Sequence, residues 1–264
     1  MTDISKVEDG ATIVVERLRD RYLSLMESCL TGTIFEDKPL EALGPTVYDP
    51  KLREVGRDWP SSAHTMIGVK RLRNLRSLTE EVIRDGVPGD LIETGVWRGG
   101  ACILMRAVLS AYQVTDRRVW VADSFEGVPP PDLDRYPSDV GSDYHSFEDL
   151  SVSFETVRSN IDKYGLLDDQ IVFLRGWFKD TLGTAPIERL ALLRLDGDLY
   201  ESTIVALEAL YDKLSVGGYV IVDDYHVVEG CRLAIGDFMA ARSMSPELCE
   251  IDGVGVFWRK TALG

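Results

Sequence analysis

From Pro88 onward the chain alternates between two kinds of segment, and this alternation restricts the fold more than any other feature. "GDLIETGVWRGG", "RRVWVADSFEG", "QIVFLRGWF", "LALLRLDGD", "GGYVIVDDY" and "GVGVFWRK" read as strands with nearly continuous apolar runs. Between them, "ACILMRAVLSAY", "SVSFETVRSNIDKYG", "STIVALEALYDKL" and "CRLAIGDFMAARSM" read as helices. A strand with no polar face must be covered on both sides, so the pattern predicts an α/β fold: a mostly parallel sheet with helices on both faces. Ligands of such sheets sit beyond the carboxyl ends of the strands. Glu93, Asp123, Asp196, Asp198, Asp223 and Asp224 all fall at those ends.

The first 60 residues follow a different pattern. "ATIVVERLRDRYLSLMESCL" places Val14, Leu18, Tyr22, Leu25 and Leu30 at helical spacing. The helix therefore has an apolar face to bury, either on its own core or against a second subunit, which leaves a homo-oligomer such as a dimer open. Residues 31–60 are interrupted by Gly32, Pro39, Gly44, Pro45, Pro50 and Pro60 and read as loop. The organisation expected is an N-terminal helical and loop segment (1–60) packed on one domain (61–264). "MIGVKRLRNLRSLTEEVIRDG" opens that domain as a helix with Gly86 at its C-cap. The acidic, proline-rich stretch from Pro129 to Leu150 fits no element. It exceeds the roughly 12–15 residues of ordinary connections, which predicts a lid over the active edge.

Composition narrows the function. With 264 residues, 45% of them hydrophobic, the chain can bury one large core. A net charge of −15 repels phosphate and argues against nucleic-acid and anionic-membrane partners. No apolar run approaches the ~20 residues of a membrane span, and "MTDISKVEDG" lacks the pattern of a signal peptide. Cys29, Cys102, Cys231 and Cys249 show no CxxC spacing and read as reduced thiols of a cytoplasmic protein.

"ETGVWRGG" resembles a dinucleotide-binding turn only superficially. A pyrophosphate avoids nearby anions, yet Glu93 precedes the turn, and the motif is ETG in place of GxG. A carboxylate beside a glycine turn suits a cationic ligand such as the ammonium and sulfonium of S-adenosylmethionine, with Gly95 and Gly99 allowing close approach. Asp123, ending the next strand, is placed to accept hydrogen bonds from a ribose diol. The competing readings are a nicotinamide-linked oxidoreductase, disfavoured by Glu93, and an ordinary βα turn with solvated acids.

Asp196, Asp223 and Asp224 would repel one another unless a cation sat among them. Oxygen-only ligands suit Mg²⁺, and no Cys/His cluster favours zinc. Asp198, two residues beyond Asp196, is placed to act as general base, with His145 and His226 as alternatives. The bland readings are acids that cap helices or face water, or a non-catalytic metal-binding module; for capping the helix after Asp198, Ser202 is better placed than Asp198. Trp97 and Trp177 are core aromatics or walls of the two binding sites, and His64 is packing or support.

"AHTMIG", "DGVPGDLIETGVWRGGACI", "VWVADSFEG", "YGLLDDQIVFLRGWFKDTL", "LRLDGDLYEST" and "VIVDDY" together resemble the macrocin O-methyltransferase family, metal-dependent sugar O-methyltransferases of antibiotic biosynthesis. The resemblance covers residues 63 to about 258. It implies a class I, Rossmann-like methyltransferase fold with a seven-stranded sheet whose last strand is antiparallel. It also implies S-adenosylmethionine and Mg²⁺ as cofactors and a glycosylated small-molecule acceptor, most nearly the 4-hydroxyl of the noviose of a novobiocin precursor, with a macrolide deoxysugar as alternative. Carried over, Asp196, Asp223 and Asp224 are the metal ligands and Asp198 the base. Glu93, Thr94, Gly95, Gly99 and Gly100 hold the methionine part, over which Thr65 and Met66 close. Asp123, Ser124 and Phe125 serve the ribose side, Gly176, Trp177 and Phe178 lie near the adenine, and Asp196 also borders the cofactor.

Overall fold

Five parallel strands carry the alternation: β1 (Asp90–Thr94), β2 (Val119–Asp123), β3 (Ile171–Arg175), β4 (Leu190–Leu195) and β5 (Leu214–Val222). Two more, β6 (Cys249–Glu250) and β7 (Val256–Arg259), complete a seven-stranded sheet of order β3-β2-β1-β4-β5-β7-β6. β7 runs antiparallel to β5, and β6 antiparallel to β7. This computed structural model describes residues 4–40 and 46–262, with side chains from residue 13; Gly44 and Pro45 of the expected loop region lie outside the described residues.

Both faces of the sheet are buried, as the unbroken apolar strands require. In β2, Val119 and Val121 point into a core shared with α1 (Ile4–Leu30), α3 (Gly68–Arg84), α4 (Gly100–Ala111) and α5 (Phe154–Lys163). Trp120 and Ala122 point the other way, into a core with α7 (Tyr200–Leu210) and α8 (Glu229–Ala241). The short helices are α2 (Pro50–Glu54) and α6 (Phe178–Thr181). Gly86 takes φ +64° just past α3, the left-handed step that ends a helix. Ser153 caps α5 by accepting from the Thr156 N–H.

The sheet order reverses between β1 and β4, and the register aligns the strand ends there. Thr94 pairs with Leu195, and Leu195 with Val222. The next residues, Gly95, Asp196 and Asp223, therefore emerge side by side at the switch point, where α/β sheets bind ligands.

Three expectations change. The stripe of Val14, Leu18, Tyr22 and Leu25 faces solvent, while Leu23, Met26 and Leu30 enter the core; of the stretch with described side chains, the residues toward the C-terminal end of α1 pack inward. α7 begins at Tyr200, two residues before Ser202, so Ser202 is not its cap. Finally, 129–150 contains three short 3-10 turns, Pro137–Asp139, Tyr144–Ser146 and Glu148–Leu150.

The segment before residue 61 is tied down by one buried arginine. Arg53 forms an ion pair with Asp58 and donates to the Thr31 and Asp37 carbonyls. Asp37 in turn accepts from Ser61, Ser62 and Ala63. This network delivers the chain to His64 and Thr65, whose N–H groups both donate to the Leu30 carbonyl at the end of α1.

Candidate active site

A cleft of about 280 Å³ opens over the carboxyl ends of β1, β2 and β4. Thr65, Met66, Glu93, Gly95, Asp123, Ser124, Trp177, Phe178, Asp196, Asp198 and Asp224 line it. Thr94, Gly99, Gly100, Phe125, Gly176 and Asp223 do not; they lie behind the wall. Trp97 and Trp177 both form walls of the cleft, half-buried.

The glycine turn owes its residues to packing inside the protein. A Cβ on Gly95, at φ +86°, would lie 1.8 Å from the Asp196 carbonyl oxygen. One on Gly100 would lie 2.4 Å from the His64 carbonyl oxygen. The space at Gly99 borders Val157 at 3.0 Å. These glycines let β1, β4 and the 63–67 loop converge; the room they leave is filled by protein atoms.

Asp123 is fixed by two backbone donors, Val96 N–H and Phe125 N–H, each at 2.7 Å. Burial pushes its carboxyl above the usual range, and those hydrogen bonds pull it back. Glu93 is 2% exposed; one oxygen accepts from Arg194 and the other from the Cys102 thiol at 2.9 Å. Burial raises its pKa to about 7 against the opposing pull of Arg194.

The acids at β4 and β5 surround a frame of arginines. Arg194, one residue before the carboxyl end of β4 and 1% exposed, donates to Glu93, to Asp196 at 2.7 Å and to Asp223. Arg71 from α3 donates to the other oxygen of Asp223 and, at 3.0 Å, to Asp252. Both oxygens of Asp223 are thus engaged. One Asp224 oxygen is buried with no hydrogen-bond partner. Among the described residues, Asp196, Asp223 and Asp224 are the group of acids that could hold a metal, with one oxygen of each within 4.8 Å of the others. An all-oxygen donor set with an orphaned buried carboxylate oxygen fits a hard divalent cation. Of the three, Asp196 and Asp224 are the less engaged, and Asp223 offers only lone pairs left over from its arginines.

Asp198 sits in the turn after β4 at φ +58°, a strained conformation for a residue with a side chain. Its carboxylate takes no hydrogen bond among the described residues. Burial, then repulsion from Asp196 and Asp223, lifts its pKa to about 7. Burial and repulsion from Asp223 lift Asp196 to about 6 against the pull of Arg194, and burial with repulsion from Asp198 holds Asp224 well above the carboxylate range. A site rich in raised carboxyls facing a cleft is a site waiting for positive charge. His145 is exposed, and His226 shares Nε2 with Glu250 at 2.9 Å; neither lines the cleft.

Sequence reasoning missed the arginine frame. Its signal was present, since Arg194 is a lone cation inside an apolar strand that ends in acids. Arg71 and Asp252 carried no comparable signal, because only the fold brings α3 and the 252 turn to the end of β5.

A family model for Macrocin-O-methyltransferase (TylF) matches residues 29–260. The chain belongs to the macrocin O-methyltransferase family. As a member it is an O-methyltransferase, which removes the oxidoreductase and non-catalytic readings, and membership implies S-adenosylmethionine as methyl donor. It is 54% identical over 253 residues to the 8-demethyl-8-(2,3-dimethoxy-alpha-L-rhamnosyl)-tetracenomycin-C 4'-O-methyltransferase of Streptomyces olivaceus, covering 94% of this chain and 96% of the relative. It is 53% identical over 244 residues to the demethyldecarbamoylnovobiocin O-methyltransferase of Streptomyces niveus, covering 91% and 93%. The solved structure of the O-methyltransferase NovP superposes with a TM-score of 0.89 at 53% identity, over 92% of this chain and 99% of that one. The class I, Rossmann-like fold expected of a macrocin O-methyltransferase is the fold observed. No helix among the described residues is long and apolar enough to cross a membrane.

Proposed function

We propose that this macrocin-family enzyme transfers the methyl group of S-adenosylmethionine to a deoxysugar hydroxyl of a glycosylated antibiotic, with Mg²⁺ held by Asp196, Asp223 and Asp224 and with Asp198 as general base. The supporting observation is the pairing of an orphaned Asp224 oxygen with an unpartnered Asp198 across one cleft. Glu93 faces the donor's ammonium with its remaining lone pairs. Asp123, already aimed by two backbone N–H groups, accepts from the ribose. Trp177 and Phe178 flank the adenine, and Thr65 and Met66 cover the methionine end. Ser124 lines the cleft beside Asp123, and Thr94, Gly99, Gly100, Phe125 and Gly176 shape the backbone behind these contacts.

Methyl transfer is an in-line displacement: the O–C bond forms as the S–C bond breaks, and the hydroxyl proton passes to Asp198. Holding the two reactants in line can contribute about 7–11 kcal/mol, and a positioned base about 10²- to 10⁴-fold. When bound, the cation supplies Lewis acidity that makes a sugar hydroxyl easier to deprotonate. The acceptor is the 4-hydroxyl of noviose in a novobiocin precursor. The equally similar relative from Streptomyces olivaceus favours a second reading, the 4'-hydroxyl of a methoxylated rhamnosyl group. The solvent-facing stripe Val14, Leu18, Tyr22 and Leu25 supports a homodimer, and four free thiols support a cytoplasmic enzyme.

Mass spectrometry of products tests this. The protein is incubated with S-adenosylmethionine, Mg²⁺ and, separately, each of the two glycosides. Gain of one methyl on the noviose substrate is expected, as is its loss in EDTA and its return with excess Mg²⁺. Full turnover in EDTA would exclude the cation, and methylation of the rhamnosyl acceptor alone would select the second reading.

A further inference from the structure

Helix α7 begins directly after the turn that carries Asp198, yet its own N-cap residue, Leu199, has no side chain able to cap it. The cap comes from the lid. Asp139 accepts from the Tyr200 N–H at 2.6 Å with one carboxylate oxygen and from the Glu201 N–H at 3.2 Å with the other. These are two of the four N–H groups that a helix start leaves without internal partners, and the helix dipole favours an anion there.

The fit is built from three elements. Asp139 is 2% exposed although it lies in a loop whose neighbours Leu133 and Val140 are open to solvent. The start of α8 makes room for it through Gly230, where a Cβ would meet the Asp139 carboxylate at 2.6 Å. The rings of Tyr136 and Tyr200 lie 5.8 Å apart beside the cap. Farther along the lid, Trp97 donates to the Asp149 carbonyl at 2.8 Å, and Tyr144 lines the cleft. Between the capped helix and β4 lies only the Asp196–Leu199 turn, closed by a Leu199 N–H to Gly197 carbonyl bond of 2.6 Å, with Asp198 at positive φ. A strained conformation persists only while its surroundings over-determine it, and the capped N-terminus of α7 is one of those surroundings.

We propose that Asp139 is a positioning residue: by capping α7 from the lid, it fixes the turn that presents Asp198, so that the base is aimed only while the lid is seated. The proposal rests on Asp198 being the base. An unseated lid would leave Glu93 and Asp123 held by their own partners and the base misdirected, which couples lid closure to proton removal without any contact between Asp139 and substrate.

The test compares Asp139→Ala, Asp139→Asn, Asp198→Asn and the Asp139→Ala/Asp198→Asn double variant in the full chain. A small misplacement of a reacting group can cost about 10²-fold, so Asp139→Ala is expected to lower kcat by about 10-fold or more. The KM for S-adenosylmethionine should stay near wild type. Hydrogen exchange over residues 197–203 should rise in Asp139→Ala, and Asp139→Asn, which keeps an acceptor, should restore most of both readouts. In the Asp198→Asn background, adding Asp139→Ala should cost less than about 2-fold more, because neighbouring residues acting through one step are not additive. Equal losses in both backgrounds, or faster exchange with unchanged kcat, would overturn the proposal and leave Asp139 a structural cap. If Asp198→Asn alone keeps wild-type kcat, the base assignment itself fails and the proposal fails with it. An inactive Asp198→Asn beside a fully active Asp139→Ala overturns the positioning role alone.

Discussion

Arg194 donates to Asp196 at 2.7 Å from a side chain almost wholly removed from solvent, and the same guanidinium reaches Glu93 and Asp223. One cation therefore touches the acid proposed for the donor's ammonium and two acids proposed for the metal. It holds the cluster together before either ligand arrives. The acids still outnumber the arginines, which is why Asp196 and Asp198 remain raised.

Arg194→Met keeps the length of the side chain and removes the charge. Breaking a buried ion pair while leaving the partner charges costs about 3–5 kcal/mol. The variant should melt well below wild type, and Mg²⁺ should raise its melting temperature more than it raises that of the wild type, because the cation then replaces missing positive charge. Thermal melts with and without Mg²⁺ measure both effects. Identical melting of the two proteins in the absence of metal would show that Arg194 holds nothing together.

Gly95→Ala separates packing from backbone freedom. Its new methyl would meet the Asp196 carbonyl at 1.8 Å, whereas a methyl on Gly86, also at positive φ, meets nothing within 4 Å. Gly86→Ala should cost only the penalty of a left-handed residue, about 1–2 kcal/mol. Gly95→Ala should cost more and abolish donor binding and turnover, since β1 and β4 must part. Urea unfolding and calorimetric titration with S-adenosylhomocysteine check the pair; equal losses of stability would contradict the contact.

How much of this was legible follows from what each feature depends on. The strands were readable because both of their faces are buried, so their apolar runs are unbroken. β6, two residues long, has too few positions to show a period. Glu93, Asp123, Asp196 and Asp224 could be located because strand ends are defined by the sequence itself. The burial of Leu23 and Met26 in place of Leu18 and Leu25 was not legible: both sets have helical spacing, and only the placement of α3 and α4 chooses between them. Asp139 lay hidden for a similar reason. A carboxylate in an acidic loop carries no sign that a helix start more than 60 residues downstream lacks its own cap.

His64 lines the cleft with Nδ1 held 2.8 Å from the Tyr164 hydroxyl, and burial, with Lys163 and Arg98 nearby, lowers its pKa to about 4. Below its unperturbed value of 6.5, the unfolded chain binds a proton that the folded chain refuses. The stability present above pH 6.5 is therefore lost as pH falls from 6.5 to 4, with a slope of at most about 1.4 kcal/mol per pH unit for one proton. His64→Gln keeps a hydrogen-bonding group for Tyr164 and cannot titrate. Its unfolding free energy should fall less steeply between pH 7 and pH 5 than that of the wild type, measured by urea titration. Parallel pH dependences would mean that His64 takes up its proton as readily folded as unfolded.

Asp198→Asn tests the chemistry itself. The substitution keeps the size and polarity of the side chain and removes its ability to take a proton. A fall in kcat of about 10²- to 10⁴-fold is expected, with affinity for Mg²⁺ and S-adenosylmethionine little changed, because Asp198 is not among the acids proposed to hold either. The pH profile gives a second reading. Without a cation the Asp198 carboxyl sits at about 7, raised by burial and by Asp196 and Asp223. A cation among Asp196, Asp223 and Asp224 offsets that repulsion and favours the ionised form. In wild type kcat should therefore rise with pH along an acid limb lying below about 7, and the residual activity of the Asn variant should lack that limb. The rival assignment gives proton removal to a histidine, yet His145 is exposed and His226 is occupied by Glu250. Under that assignment His145→Ala or His226→Ala would lose kcat while Asp198→Asn kept it, and measuring the three variants at saturating Mg²⁺ decides between the two.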